Sequence, residues 1–350
     1  MQPTLVEDRY AELIGALALH HAQPLWDRYQ RVTTRVPAAR DDPMVWHWHD
    51  MQPLIARATR EVSMQDAERR VLLLTHPAFG GAAATTTNLS AGLQTLLPGE
   101  TARAHRHSLQ AIRFVMSGSG AETTVNNQRC AMNQGDLVLT PAWTWHEHVH
   151  AGSEPLVWFD GLDLPLLHHL DSIFFELAAA GADHFDPPPT RVTAAAWNGA
   201  TLGPDGTAPG GAAADRFRFS WDRACQALDA AMIAADGSRS LRYVDGVSQG
   251  AVLPTLDCYL LDCAPGRTTR RQRTTSNAVC VVAQGEGRSE IGGRVIEWRR
   301  NDVFTVPHWN WVRHTATNTH ARMFVMTDRE FLASMGYLRE ECDESDVQQP

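Results

Sequence analysis

The sequence predicts a mainly β protein in which two small antiparallel β-barrels follow a helical N-terminal extension. Three observations carry this. The chain has 350 residues, more than the roughly 100–200 that one core usually organises, so two cores are expected. Short β-type runs such as AIRFVMSG, TTV and DLVLTP recur between Gly, Asn and Pro turn signals. The two halves also repeat one another: LPGETARAHRH aligns with APGRTTRRQRT, MSGSGAE with AQGEGRSE, and GDLVLTPAWTWHEH with NDVFTVPHWNWVRH. The offset is 167 from Pro98 to Pro265 and 166 from Pro141 to Pro307. A duplicated barrel is the physical reading, each copy closing its sheet and removing exposed strand edges.

Along the chain, apolar residues at helical spacing predict a helix from Val6 to Leu17 and another from Met64 to Val71, with a loop near Pro37 to Pro43. The first ~75 residues are therefore expected to be mainly helical and to pack on the first core. β texture begins at Thr87, helical texture returns from Asp163 to Ala180, and the Pro-, Gly- and Ala-rich stretch 186–215 reads as the connection between the halves. A helical piece near Trp221 to Ala235 precedes renewed β texture from Thr255 to Thr327, a short helix and an acidic tail from Glu340 that is expected to be solvated. The expected domains are an extension over 1–80, a first barrel over 81–175, a connection over 176–240, a second barrel over 241–330, and a C-terminal helix and tail over 331–350.

Composition narrows the partners. A net charge of -9 argues against nucleic acid, whose backbone calls for a surplus of Lys and Arg on one face. No apolar run approaches the roughly 20 residues that cross a bilayer, and the start MQPTLVEDRY lacks a secretory pattern, so a cytoplasmic protein without membrane contact is expected. Six cysteines at 130, 225, 258, 263, 280 and 342 form no CxxC pair, which favours buried thiols over a zinc site or a disulfide framework.

The chemistry-bearing constellation lies in the first copy. His105 and His107 are two apart, so on a strand they project from one face, and His146 would arrive from a partner strand. Three imidazoles suit iron, copper, nickel or zinc and leave coordination positions free for substrate and oxygen. In the second copy the matching positions are Gln272, Thr274 and Val312, so one metal per chain follows. His47-Trp48-His49 repeats the HxH spacing without a Gly-rich hairpin or a later partner histidine, and is read as structural.

GETARAHRHSLQAIRF, GDLVLTPAWTWHEH and VWFDGLDLPL together resemble the gentisate 1,2-dioxygenase and salicylate 1,2-dioxygenase family of bicupin ring-cleaving enzymes. The resemblance extends to AERRVLLL and AGLQTLLPGE. It implies one iron(II) per chain, dioxygen and a small aromatic acid as reactants, and a homo-oligomer, commonly a tetramer. The glutamate that many cupins add as a fourth ligand is absent: Gln110, Ala111 and Ile112 stand in its place. Three neutral imidazoles leave a ferrous site its full double charge, favouring an anionic chelating substrate such as a salicylate-type acid. The resemblance implies cleavage between the carboxyl-bearing and hydroxyl-bearing carbons of the ring.

Further roles follow from the resemblance and are weighed against structural duties. Arg113 lies six residues past His107, so strand alternation puts it on the histidines' face, where it would pair with the substrate carboxylate; a rim salt bridge is the alternative. His148 would handle the phenolic proton or steady oxygen, although His314 fills its place in the metal-free copy. Asp160 would orient a histidine or arginine, or be a turn residue before Gly161. Gln110 would touch a ring substituent, but relatives more often carry the glutamine where this chain has Leu109. Arg69 and Arg70 are further candidates for the carboxylate, against a solvated helix end. Trp143 and Trp145 read as packing. Ser90, where gentisate-preferring relatives carry a large aromatic, predicts a wider pocket and a ring bearing something else, such as the nitro group of 5-nitrosalicylate. A 1-hydroxy-2-naphthoate dioxygenase, a non-catalytic ligand-binding bicupin and a manganese or zinc cupin isomerase or decarboxylase compete with this reading.

Overall fold

The computed structural model describes residues 5–178, 200–204 and 216–343. Residues 1–38 form one compact unit, and residues 39–350 a second. The first is built on the helix Leu5–Leu19 and the single turn Tyr29–Val32. In it the Tyr10 hydroxyl donates to Asp27 and accepts from the Trp26 indole.

The second unit holds both barrels. In the first, a six-stranded sheet runs in the order Arg218–Phe219, Leu137–Thr140, Ala111–Ser117, Leu156–Leu162, Ser90–Leu96, Arg70–Leu73. It faces a five-stranded sheet ordered Phe175–Leu177, Thr101–His107, His146–His150, Ser119–Val125, Gln128–Asn133. The second barrel repeats the plan. Its larger sheet contains Val303–Val306, Ala278–Gln284, Ala321–Thr327 and Asp257–Cys263, and its smaller one Glu286–Ile291, Val312–Ala316, Gln272–Thr274 and Glu340–Cys342. The bicupin architecture expected from the repeat is thus the observed one.

The barrels pack through the outer faces of their larger sheets. Phe114 of the first stacks on Phe324 of the second with centroids 4.4 Å apart, and Phe159 and Tyr243 meet the same ring edge-on. Such aromatic pairs add about 0.5–1.5 kcal/mol each beyond the area they bury. Gly161 lies within the strand Leu156–Leu162, one residue from its end, rather than in a turn. A Cβ there would strike Met326 of the second barrel, so the Asp-Gly pair marks a close strand approach.

Two stretches expected to be helical, and the tail expected to be solvated, are partly strand. Met64–Ala67 forms one turn, capped by Ser63, and Glu68 at φ 52 breaks it. The chain then enters Arg70–Leu73, which pairs with Ser90–Leu96. After Asp163 the helix covers only Leu164–His169; Asp171 at φ 48 turns the chain into Phe175–Leu177, which pairs with Thr101–His107. The tail segment Glu340–Cys342 pairs with Gln272–Thr274, its charges met by Arg329 and Arg273. In each case a distant strand edge overrides local pattern. The stretch 186–215 lies largely outside the described residues, except for a strand at Ala200–Leu202.

Nor does the region 39–75 serve the first core alone. The helix Trp48–Glu61 packs against Arg70–Leu73 and Ser90–Leu96 of the first barrel, but Val45–Trp46 joins the second barrel beside Val303–Val306. His47 Nδ1 lies 2.9 Å from Asp302 and His49 accepts from Arg299, so that HxH pair serves this junction. All six cysteines are free thiols, four buried, Cys225 half-buried and Cys342 exposed. Among the described residues no helix is long and apolar enough to cross a membrane.

Candidate metal centre

His105 and His107 alternate inward from Thr101–His107, and His105 stands directly opposite His146 in the ladder. The ligand atoms of these three buried histidines lie within 4.8 Å of one another, the single such group among the described residues. Each Nδ1 sits by a backbone carbonyl two residues away: His105 by Arg103 at 3.1 Å, His107 by Leu109 at 2.9 Å, His146 by Thr144 at 2.9 Å. Those contacts fix the proton on Nδ1 and leave each Nε2 lone pair for a ligand, which is how metal-binding imidazoles are usually oriented. Nε2 of His146 is buried with no hydrogen-bond partner among the described residues. An orphaned buried acceptor beside two further imidazoles is costly unless an ion is held among them, so the residues fit a metal.

The electrostatics agree. Burial, then the Arg69 and His107 charges, push His105 down to about 2; burial and Arg113 push His107 down to about 4. His146 falls well below its ordinary range, chiefly through burial and then His105. Neutral imidazoles are the form that ligates.

Opposite the triad, on the larger sheet, Arg113 and Asp160 are cross-strand partners. Arg113 donates to Thr140 Oγ1 at 2.6 Å, and its Nε lies 3.4 Å from Asp160, which also accepts from the Trp158 indole at 3.3 Å. Burial raises the Asp160 carboxyl and Arg113 opposes this. Arg113 is not on the histidines' strand. It faces them because both sheets turn one face into the same barrel, so counting six residues from His107 is no guide. His148 lies inward beside His146, its Nδ1 2.8 Å from Thr123 Oγ1, its ring 5.4 Å from Trp158, and its Nε2 buried and unpartnered among the described residues. Gln110 is buried, and its side-chain oxygen accepts from Ala142 N at 2.9 Å.

Of the two candidate arginines, Arg69 is the one beside the histidines. Its charge acts on His105 and Arg113, and its guanidinium lies 5.5 Å from the Phe175 ring, which in turn lies 5.4 Å from His105. Arg70 is buried away in an ion pair with Glu100. Neither is a solvated helix end: Arg70 is buried at the start of the strand Arg70–Leu73, and Arg69 is half-buried in the bend that leads into it. Arg106 lies over Trp143 and Trp145 at 4.5 and 4.7 Å, so both indoles pack against a cation. Ser90 shares a face with Gly92 and Gln94, the cross-strand partners of Asp160 and Trp158. Sequence reasoning passed over Gln94, whose amide O and N are both buried without partners among the described residues. Its signal was a polar residue inside the apolar run AGLQTLL.

Residues 92–162 match the cupin domain family. Gentisate 1,2 dioxygenase 1 of Aquipseudomonas alcaligenes is 33% identical over 97% of this chain and 98% of its own. The 5-aminosalicylate 1,2-dioxygenase of a Comamonas species is 32% identical over 93% and 88%. Among solved structures, salicylate 1,2-dioxygenase from Pseudoaminobacter salicylatoxidans as a gentisate adduct superposes with a TM-score of 0.83 at 28% identity, covering 98% of this chain and 96% of that one. These relatives speak against the non-catalytic bicupin and the isomerase or decarboxylase alternatives. With an intact three-histidine metal site and full-length relatives of one activity, the chain belongs to the gentisate/salicylate 1,2-dioxygenase family and is a bicupin ring-cleaving dioxygenase.

Proposed function

We propose that the chain binds one iron(II) through His105, His107 and His146 and opens a salicylate-class acid, gentisate or a 5-substituted salicylate such as 5-nitrosalicylate, between its carboxyl-bearing and hydroxyl-bearing carbons. Both oxygen atoms of dioxygen are retained in the opened oxo-dicarboxylic acid. The carrying observation is the pairing of three neutral, inward-turned imidazoles with two buried or half-buried arginines, Arg69 and Arg113, in one pocket. Iron(II) held by His105, His107 and His146 would supply Lewis acidity toward an anionic acid and redox chemistry toward dioxygen.

The protein's own groups do the rest. The fork of Arg113, steadied by Thr140 and Asp160, suits a carboxylate, and Arg69 adds a second positive charge from the pocket's edge. Asp160 acts as the orienting partner of Arg113. His148 offers Nε2 to the phenolic proton or to the oxygen side of the pocket, with Thr123 fixing the ring. Gln110, its oxygen committed to Ala142, contributes through the turn it holds. Burial of the whole set excludes water from the opened ring.

The small Ser90 beside Gly92, on the face of Asp160, supports a pocket wide enough for a substituent. Oxygen uptake by iron-loaded protein offered gentisate, salicylate, 5-nitrosalicylate and 1-hydroxy-2-naphthoate tests the reading. Turnover of a 5-substituted salicylate above gentisate supports it, preference for the naphthoate replaces the substrate, and no turnover of any of the four ends it. A cytoplasmic tetramer belongs to the same reading and is checked by light scattering of the holo-protein.

A further inference from the structure

Asp163 and Asp328 occupy matching positions after the last long strand of each barrel, and their carboxylates, 1% and 0% exposed, cap no helix N–H. Each binds its own barrel and the other one. Asp163 accepts from Gln110 N at 2.9 Å and from the Thr255 hydroxyl, in the second barrel, at 2.5 Å. Asp328 accepts from Asn277 N at 2.7 Å and from the Asn88 amide, in the first barrel, at 2.8 Å. Gln110 and Asn277 differ by 167, as do Asn88 and Thr255. The two halves therefore exchange the same latch.

The latches end differently. The N–H that Asp163 holds belongs to the Leu109–Gln110 peptide, and the carbonyl of that same peptide faces Nδ1 of His107 at 2.9 Å. A peptide is planar and stiff, so fixing its N–H fixes where its carbonyl points, and hence the His107 ring. The series runs unbroken: the Thr255 hydroxyl donates to Asp163, Asp163 accepts from Gln110 N–H, and the Leu109 carbonyl accepts from His107. In the second barrel the equivalent series ends at Thr274, which offers no metal ligand; its hydroxyl lies 3.0 Å from Ser276 Oγ.

We infer that Thr255 of the metal-free barrel and Asp163 are positioning residues for the ligand His107, so that the second barrel holds the first barrel's metal in place. This rests on the metal site and not on the choice of substrate. The Asn88–Asp328 latch, being its duplicate, serves only to join the barrels and is a built-in control.

Holoenzyme is loaded anaerobically with iron(II), and its loss to a chromogenic ferrous chelator is timed. Thr255→Val is expected to speed release about 5–10-fold, Thr255→Ser to restore the natural rate, and Asn88→Ala to stay within about twofold of it, since losing an orienting partner typically costs 10–100-fold in metal affinity. The cobalt(II)-loaded protein gives a second readout: ligand-field bands shift in Thr255→Val and not in Asn88→Ala. If Thr255→Val does not fold, the isosteric Asp163→Asn takes its place, with faster release expected. Equal release from Thr255→Val and Asn88→Ala, or unchanged release and bands in the Thr255 or Asp163 variant, overturns the inference while leaving the proposed function intact. A natural protein that retains no iron sinks both.

Discussion

The two barrels can be laid over one another residue by residue, and their differences separate what a barrel needs from what the reaction needs. Arg106 over Trp143 and Trp145, paired with Glu176, returns as Arg273 over Trp309 and Trp311, paired with Glu341. Trp143 and Trp309 share a left-handed backbone, φ 60 and 59, and each N–H bonds the carbonyl of the matching residue, His107 or Thr274. His148 on Thr123 returns as His314 on Ser289. What fails to return is concentrated in one place. Beyond the ligands, Arg113 corresponds to Cys280, Asp160 to Val325, Trp158 to Met323 and Gln94 to Leu261. The common set is scaffold, and the set confined to the first barrel lines its metal pocket. His148 straddles the two, since its anchor is shared while the neighbours of its free nitrogen are not.

The sharpest test of that division is the ligand strand. His107→Ala is expected to lower activity by about 10⁴-fold or more and to abolish iron retention, as loss of a group acting within a catalytic unit does. Thr274→Ala, its counterpart, is expected to change neither. Oxygen uptake and metal content per chain measure both, and retained iron in His107→Ala removes it from the centre. Next in size is Arg113. Arg113→Met should lower kcat/KM by about 10²–10³-fold, about 3–4 kcal/mol, because it removes the fork and strands Asp160 in a buried site. Arg113→Lys should recover little, since an ammonium cannot replace a planar fork. Cys280→Ala should leave turnover within about twofold. An Arg113→Met enzyme with natural kcat/KM would return that residue to the scaffold.

The parts of the molecule legible in sequence are those set by short-range geometry. Strand alternation puts His105 and His107 on one face, and a duplicated Gly–Pro–Trp spacing gives away two barrels. What sequence hides depends on distant partners. Arg69 faces the pocket because Glu68 takes a left-handed conformation and hands the chain to a sheet edge, and helical periodicity over Met64 to Val71 conceals that switch. Phe175–Leu177 and Glu340–Cys342 are strands because an open edge awaits them, not because three residues can signal a strand. Alternation counted across Ser108–Gln110 gives Arg113 the right face although the strand ends at His107; the barrel, not the count, turns it inward. Asp163, read as the start of a helix, spends its carboxylate on a contact 92 residues away.

A third prediction uses the second barrel's own histidine, free of metal. Burial alone pushes His314 down to about 4, against 6.5 in an unfolded chain. Between those values the unfolded state binds a proton that the folded state refuses, so stability falls as pH drops below 6.5 and the penalty is complete near 4. At pH 5 this amounts to about 2 kcal/mol. His314→Asn keeps an acceptor near Ser289 and cannot titrate. Its urea midpoint should lose less between pH 8 and pH 5 than that of the natural chain, and parallel losses would mean that His314 is not held neutral.

The smallest effect should also be the most symmetrical. The Arg–Trp–Trp–Glu clamp has the same geometry in both barrels, with ring distances of 4.5 and 4.7 Å in the first and 4.4 and 4.6 Å in the second. Each cation–π contact at a partly exposed site contributes about 0.5–1 kcal/mol, and the exposed ion pair adds little. Arg106→Ala and Arg273→Ala should therefore each cost about 1–2 kcal/mol in urea unfolding of the metal-free protein. The two losses should agree to within about 0.5 kcal/mol, because the sites lie on separate barrels and share no partner. With iron bound the pair should part, since Arg106 neighbours both His105 and His107 in sequence and lies on the indole of Trp143, the residue whose backbone N–H holds the His107 carbonyl. Metal loading should then stabilise the Arg106 variant less than the Arg273 variant. Identical gains would mean that the clamp is insulated from the centre it borders.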